Sequence, residues 1–230
     1  MKIVVTVAAP VEAVWDALRD REKIRHWHGW EYEGGLEQEI DLIYFTDVTE
    51  DGTTLTLGNG DTFVVEPAGG GSKITLTRAP IGTNPEWDAY YDDITEGWIT
   101  FLHQLVFFIE RHPGDERHTL FYSGTGALNP ITELGLPADT VDLIGEPVKT
   151  EVWYTSEHQL GVTVDAWGNG LLVLSHLPPS DAKPEGASMA ILSVYGSTDL
   201  DELAARWQTW WDERYPKPLD LPGEPPTTTG

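Results

Sequence analysis

Residues 85–112 hold the feature that most constrains the fold. On a helical wheel Trp87, Tyr91, Ile94, Trp98, Phe101, Leu102, Leu105, Phe108 and Ile109 fall within about a third of the circle. A stripe that long needs a continuous apolar surface beneath it, and the sequence supplies short strand-like runs to build one. Strands are expected at 3–7, 37–47, 53–57, 61–66 and 72–78, separated by turn signals at Glu50-Asp51-Gly52, Gly58-Asn59-Gly60 and Gly69-Gly70-Gly71. This spacing predicts an antiparallel meander with the helix lying along its concave face. The far side of the helix carries Ile99, His103, Val106 and Phe107. A second buried face is therefore expected, against the rest of the chain or another subunit.

Ahead of the meander, Pro10 reads as the first residue of a short helix whose stripe is Val11, Val14, Trp15 and Leu18. Residues 20–25 suit one more helical turn before Gly29. His112-Pro113-Gly114-Asp115 ends the long helix and reads as a domain boundary. Beyond it the plan repeats. A strand at 119–122 and a short helix within 127–134 lead to strands at 148–155, 159–166, 171–177 and 187–195. A closing helix follows, with the stripe Leu200, Leu203, Trp207, Trp210 and Trp211, and with Thr198 and Asp201 at capping-box spacing. The tripeptide Gly-Asn-Gly stands at 58–60 and again at 168–170, at the same place in each half relative to its closing helix. The expected organisation is α+β, with tandem units at 1–113 and 114–216 and a flexible tail at 217–230.

Named positions carry a family resemblance. Ala9-Pro10, Val14-Trp15, Leu18, Trp27 and Trp30 resemble the opening of the SRPBCC (START-like, helix-grip) superfamily. Gly97-Trp98 with Leu102 and Leu105 resembles the closing helix of its heat-shock ATPase activator-like branch, and Gly34-Gly35 falls near that branch's glycine pair. The likeness covers about residues 1–112. It departs from the pattern between Trp30 and Gly58, a segment short enough to imply a missing strand and a smaller cavity. The second half resembles the superfamily only in the order of its elements and lacks the Pro-x-x-x-Val-Trp opening. The resemblance implies a curved sheet gripping a long helix around an elongated cavity, which relatives use for hydrophobic ligands. Some branches catalyse cyclisation or dehydration, and others are co-chaperones.

Charge narrows the partners. With 38 Asp+Glu against 14 Lys+Arg the net charge is −24, which opposes nucleic acid and anionic membrane surfaces. The absence of cysteine removes disulfides, thiolate metal sites and cysteine nucleophiles. No run approaches the length of a membrane span and no leader is recognised, so a cytoplasmic location is expected. The acids read as a solvating coat, and any ligand as neutral or cationic.

Several clusters suggest chemistry and each has a plainer reading. If His26-Trp27-His28 is extended, the two imidazoles share a face and suit a metal or acid–base work. No further ligand pair completes a metal site, and the plainer reading is two histidines flanking a core tryptophan. Asp92-Asp93 with Glu96 can be a carboxylate pair, or ordinary dipole complementation in a first helical turn. Asp47 to Asp51 lacks calcium-loop spacing, and Ser123-Gly124-Thr125-Gly126 is half of a dinucleotide fingerprint with no parallel sheet after it. No motif names a reaction, a metal or a cofactor. The aromatic residues Trp27, Trp30, Tyr44, Phe63, Trp87, Tyr91 and Trp98, with His28, are the expected lining of a pocket for a small hydrophobic or aromatic molecule. The alternatives are a polyketide cyclase/dehydratase-like enzyme using His28 or Asp92, and a protein-interaction module or homodimer using Ile99, His103 and Phe107.

Overall fold

The computed structural model describes residues 1–32, 35–86, 88–180 and 184–219. These form two units, Met1–Arg117 and His118–Gly230.

The first unit contains β1 (Lys2–Val7), α1 (Val11–Arg19), α2 (Arg21–Ile24), α3 (Leu36–Tyr44), β2 (Thr49–Asp51), β3 (Thr54–Thr56), β4 (Thr62–Ala68), β5 (Gly71–Thr77) and α4 (Tyr91–Arg111). Its antiparallel sheet has the order β1-β5-β4-β3-β2, so the first strand pairs with the last. Alternation decides which side is inward: Ile3, Val5 and Val7 on β1, Phe63 and Val65 on β4, and Ile74 and Leu76 on β5 are all buried. Against this face lies α4, packed along β1 and reaching β4 through the Trp98 and Phe63 rings, 5.3 Å apart. The α4 stripe is buried at Trp98, Leu102, Leu105 and Phe108, and Val106 and Phe107 on its other side are buried as well.

Two expectations need correction here. Residues 37–47 are not a strand, because α3 occupies most of them. Ile40, Leu42 and Tyr44 alternate in sequence, yet the buried residues are Leu36, Ile40 and Tyr44, one per helical turn, and Leu42 is 66% exposed. Pro10 stands one residue outside α1 as its N-cap, with extended backbone (ψ 157°), rather than inside the first turn.

The second unit contains β6 (His118–Gly124), α5 (Pro130–Glu133), β7 (Thr140–Asp142), β8 (Pro147–Thr155), β9 (Gln159–Val164), β10 (Gly170–Leu177), β11 (Ala187–Val194) and α6 (Leu200–Arg214). The sheet order is β6-β11-β10-β9-β8-β7, again with the first strand beside the last. Leu203, Trp207 and Trp211 of α6 are buried with Tyr122, Trp167, Leu172, Leu174 and Leu192. The helix is capped by Asp199, whose carboxylate accepts from Glu202 N at 3.0 Å, while the Thr198 hydroxyl turns to Ala166 O. The cap is therefore Asp199 rather than Thr198.

The two Gly-Asn-Gly turns hold equivalent places, each joining the third-last to the second-last strand of its sheet. At Gly168 the backbone has φ +68°, and a Cβ there would lie 2.2 Å from Tyr195 O, so only glycine fits. The first sheet has five strands against six in the second. Lys217 O accepts from Thr125 N at 2.9 Å, and the rest of the expected tail, 220–230, lies outside the described residues. Both units are mixed α and β with antiparallel sheets. Among the described residues no helix is long and apolar enough to cross a membrane.

Candidate functional site

The expected aromatic lining of the first unit is brought together, and most of it is sealed. Trp27, His28, Tyr44, Phe63 and Trp98 are all buried. Trp27 follows α2, where residues 24–28 wind through successive turns rather than extending. Its indole N–H donates to Ala17 O at 2.9 Å, and its ring meets Tyr44 edge-on at 5.6 Å. His28 meets Tyr44 at 5.1 Å, Trp98 at 6.2 Å and Phe101 at 4.5 Å. Trp30, Tyr91 and Phe101 are only half-buried, with Trp30 at 6.4 Å from Phe101. Trp87, part of the same expected lining, lies outside the described residues, as does Gly34 of the glycine pair.

Winding of the 24–28 segment overturns the shared-face reading of its histidines. His26 stacks on Phe108 at 5.6 Å, and burial, followed by the Arg25 and Arg117 charges, holds its pKa below the ordinary value. His28 instead hydrogen-bonds through both ring nitrogens. Nε2 lies 3.2 Å from Glu39 Oε1, and Nδ1 lies 2.9 Å from the Tyr44 hydroxyl. Burial pushes the Glu39 carboxyl up, but the hydrogen bond and charge of His28 and the Tyr32 hydroxyl outweigh it and hold it below the usual range. Burial, followed by the Glu39 charge, pushes the Tyr44 phenol well above its ordinary value. Both ring nitrogens therefore have a partner: Nε2–H donates to the Glu39 carboxylate, and Nδ1 shares a hydrogen bond with the Tyr44 hydroxyl. These atoms form a hydrogen-bonded chain from the buried Tyr44 hydroxyl to a carboxylate whose side chain is 33% exposed. The main chain is clamped nearby, where Arg117 donates to His28 O at 3.3 Å and to Gly29 O at 2.8 Å.

A second polar cluster had no signal in the sequence spacing. Arg78, at the end of β5, donates from Nε to Asp61 Oδ2 at 2.9 Å and from Nη1 to Thr95 Oγ1 at 2.5 Å. Trp98 Nε1 donates to the same Asp61 oxygen at 3.1 Å, and Ala79 N donates to Oδ1 at 2.7 Å. The guanidinium lies 4.5 Å from the centre of the Tyr91 ring. Asp61 follows the first Gly-Asn-Gly turn, and a charged residue that closes an alternating strand, as Arg78 does, was the available hint. Glu39 was hidden by the strand assignment of its segment.

Asp92 is exposed on the first turn of α4, and 47–51 runs into the β2–β3 hairpin. Gly124 gives close passage to the Tyr215 backbone. Among the described residues no group of three or more His, Asp or Glu is arranged for a metal. A cleft of about 470 Å³ opens beside α1, lined by Val11, Glu12, Trp15, Asp16, Arg19, Asp20 and Thr53, none of which belongs to the expected lining.

No family model matches the chain. No curated protein matches it in sequence. Solved structures with a similar arrangement include DynU16, a protein in the dynemicin biosynthetic locus, at 14% identity over 92% of this chain and 94% of that one, with a TM-score of 0.32. The di-domain ARO/CYC StfQ from the steffimycin biosynthetic pathway is 10% identical over 91% and 92% of the two chains, with a TM-score of 0.34. The di-domain ARO/CYC BexL from the BE-7585A biosynthetic pathway is 11% identical over 89% and 88%, with a TM-score of 0.33.

Proposed function

We propose that the chain binds a small hydrophobic or aromatic molecule at its first unit, on a helix-grip plan present in two tandem copies. The plan is supported by both sheets pairing first strand with last, running back as a meander and ending in a long helix. The Ala9-Pro10 and Val14-Trp15 opening, with Gly97-Trp98 on α4, supports the SRPBCC superfamily and its heat-shock ATPase activator-like branch as the family reading of the first unit.

The observation that carries the binding reading is the change of exposure along one aromatic wall. His28 and Trp98 are closed to water, while Phe101, 4.5 Å from the first and 6.0 Å from the second, is half open, as are Trp30 and Tyr91. Half-covered rings continuous with a sealed wall offer faces on which a flat apolar molecule stacks. Titration with the neutral fluorophore N-phenyl-1-naphthylamine tests this. Saturable emission is expected, weakened about fivefold or more in Trp30→Ala and Phe101→Ala. Absence of saturation, or unchanged affinity in both variants, overturns it.

One observation favours an acid–base enzyme of cyclase or dehydratase type as a second reading: His28 is held between a phenol and a carboxylate. Under that reading His28→Gln abolishes turnover while retaining affinity for the fluorophore. Asp92, exposed on α4, has no part in it.

A further inference from the structure

The sheet of the first unit has two edges of opposite character. β2 is three residues long, wholly exposed and carries Glu50 and Asp51, which defends that edge against further pairing. β1 has six residues of high β-propensity, no proline, and Lys2 as its one charge. Among the described residues it pairs only with β5. Arg78 N donates to Met1 O at 2.9 Å, one step beyond the Lys2–Thr77 pair, and this fixes the phase of the ladder. Ile3, Val5 and Val7 therefore exchange hydrogen bonds with β5, while the main-chain N–H and C=O groups of Lys2, Val4 and Thr6 point away from the sheet. Among the described residues nothing bonds these outward groups. Lys2, Val4 and Thr6 are all exposed, Val4 at 55%. The next outward donor, Ala8 N, is already taken by the Glu110 carboxylate at 2.7 Å.

We infer that β1 is an interaction surface for a second copy of this chain, the two strands running antiparallel with Val4 opposite Val4 and Lys2 opposite Thr6. A two-fold pair sets residues of the same sheet face against one another, so only alternate registers are open. Shifting the pair by two residues one way carries Thr6 beyond the end of the partner strand. Shifting it the other way brings Lys2 against the occupied Ala8 N–H. The Val4–Val4 register alone gives every outward donor of one copy an acceptor on the other. On the buried side it sets Ile3 opposite Val5, and on the open side Val4 covers Val4. Charge agrees with this choice. Lys2 comes two residues from Ala8 of the second copy, where the exposed Glu110 carboxylate is anchored, so a cation and an anion complement one another at each end of the seam. Two six-residue strands bury less than the roughly 1,000 Å² of a durable interface, so the dimer is reversible, with a dissociation constant above about 10 µM. This surface is independent of the ligand readings and uses none of Ile99, His103 and Phe107.

The chain has no cysteine, so a single substitution places one thiol in the full-length protein. In the inferred register the two Val4 Cα atoms lie about 5.5 Å apart, within disulfide reach. At about 0.5 mM protein, well above the expected dissociation constant, oxidation of Val4→Cys with diamide is expected to give a disulfide dimer. Thr6→Cys alone should give about fivefold less, because its two copies stand about 13 Å apart along the seam. An equimolar mixture of Thr6→Cys and Lys2→Cys should restore the yield as a heterodimer. Val4→Lys, exposed in the single chain, sets two ammonium groups opposite one another. It is expected to weaken association in sedimentation equilibrium about fivefold while the unfolding midpoint stays in place. A chain that is monomeric at about 1 mM, equal crosslinking of the two single variants, or association untouched by Val4→Lys overturns the pairing. The unmodified chain gives an independent reading through main-chain amide exchange. The Lys2, Val4 and Thr6 amides should slow as protein concentration rises, and rates that ignore concentration overturn the pairing as well.

Discussion

Arg78 and Asp61 form a salt bridge at 2.9 Å with side chains only 5% and 1% exposed. The Asp61 carboxylate also accepts from Trp98 Nε1 and Ala79 N, so one acid ties β5, α4 and the loop after β5 together. Removing one partner of such a pair leaves the other charge buried and uncompensated. Arg78→Met is expected to lower stability by about 3–5 kcal/mol in denaturant unfolding. Arg78→Met combined with Asp61→Asn should recover part of the loss, because the stranded charge is gone.

Glu39 predicts an acid limb. Its carboxyl sits below the ordinary 4.5 in the folded chain, so the unfolded chain binds more protons as pH falls. The stabilisation is complete above the unfolded value and is lost as pH falls through the folded one. Unfolding midpoints between about pH 2 and 6 should drop less steeply in Glu39→Gln than in the parent. Tyr44→Phe, which removes the hydrogen bond to His28 Nδ1, should cost about 1–3 kcal/mol at neutral pH.

His103 acts in a higher window. Burial lowers its pKa from 6.5 to about 4, so between those values the unfolded chain takes up a proton that the folded chain refuses. Stability therefore falls as pH drops from 6.5 toward 4. His103→Gln should remove that component, and proton resonances of the His103 ring followed against pH should give the low midpoint directly.

The cap of α6 can be assigned by substitution. Asp199 accepts from Glu202 N, whereas Thr198 bonds Ala166 O at 3.4 Å. Asp199→Ala is expected to cost about 1 kcal/mol and Thr198→Ala a few tenths, both read from denaturant midpoints. Equal costs would return the cap to Thr198.

What could be read from the sequence divides along a physical line. Periodicity exposed the elements whose buried face repeats within one segment: Trp98, Leu102 and Leu105 on α4, Ile3, Val5 and Val7 on β1, and Leu203, Trp207 and Trp211 on α6. It failed at 36–44, where Ile40, Leu42 and Tyr44 fit period two while burial follows Leu36, Ile40 and Tyr44. The aromatic wall could be named because rings announce themselves by type. Its polar partners could not, since Glu39 reaches His28 across 11 residues and Arg78 reaches Asp61 across 17. Such pairs are fixed by tertiary packing and leave no local spacing to detect.

The pairing of β1 with β5, Lys2 opposite Thr77, and of β6 with β11, Val194 opposite His118, also sets the order of assembly during synthesis. Each meander can grow hairpin by hairpin as it leaves the ribosome, but the strand made first must wait for the strand made last. Until Ala187–Val194 emerges, β6 and β10 both present open edges. A nascent chain stalled before that strand would carry two templates for misassembly, so the second unit is most exposed to aggregation just before its synthesis ends.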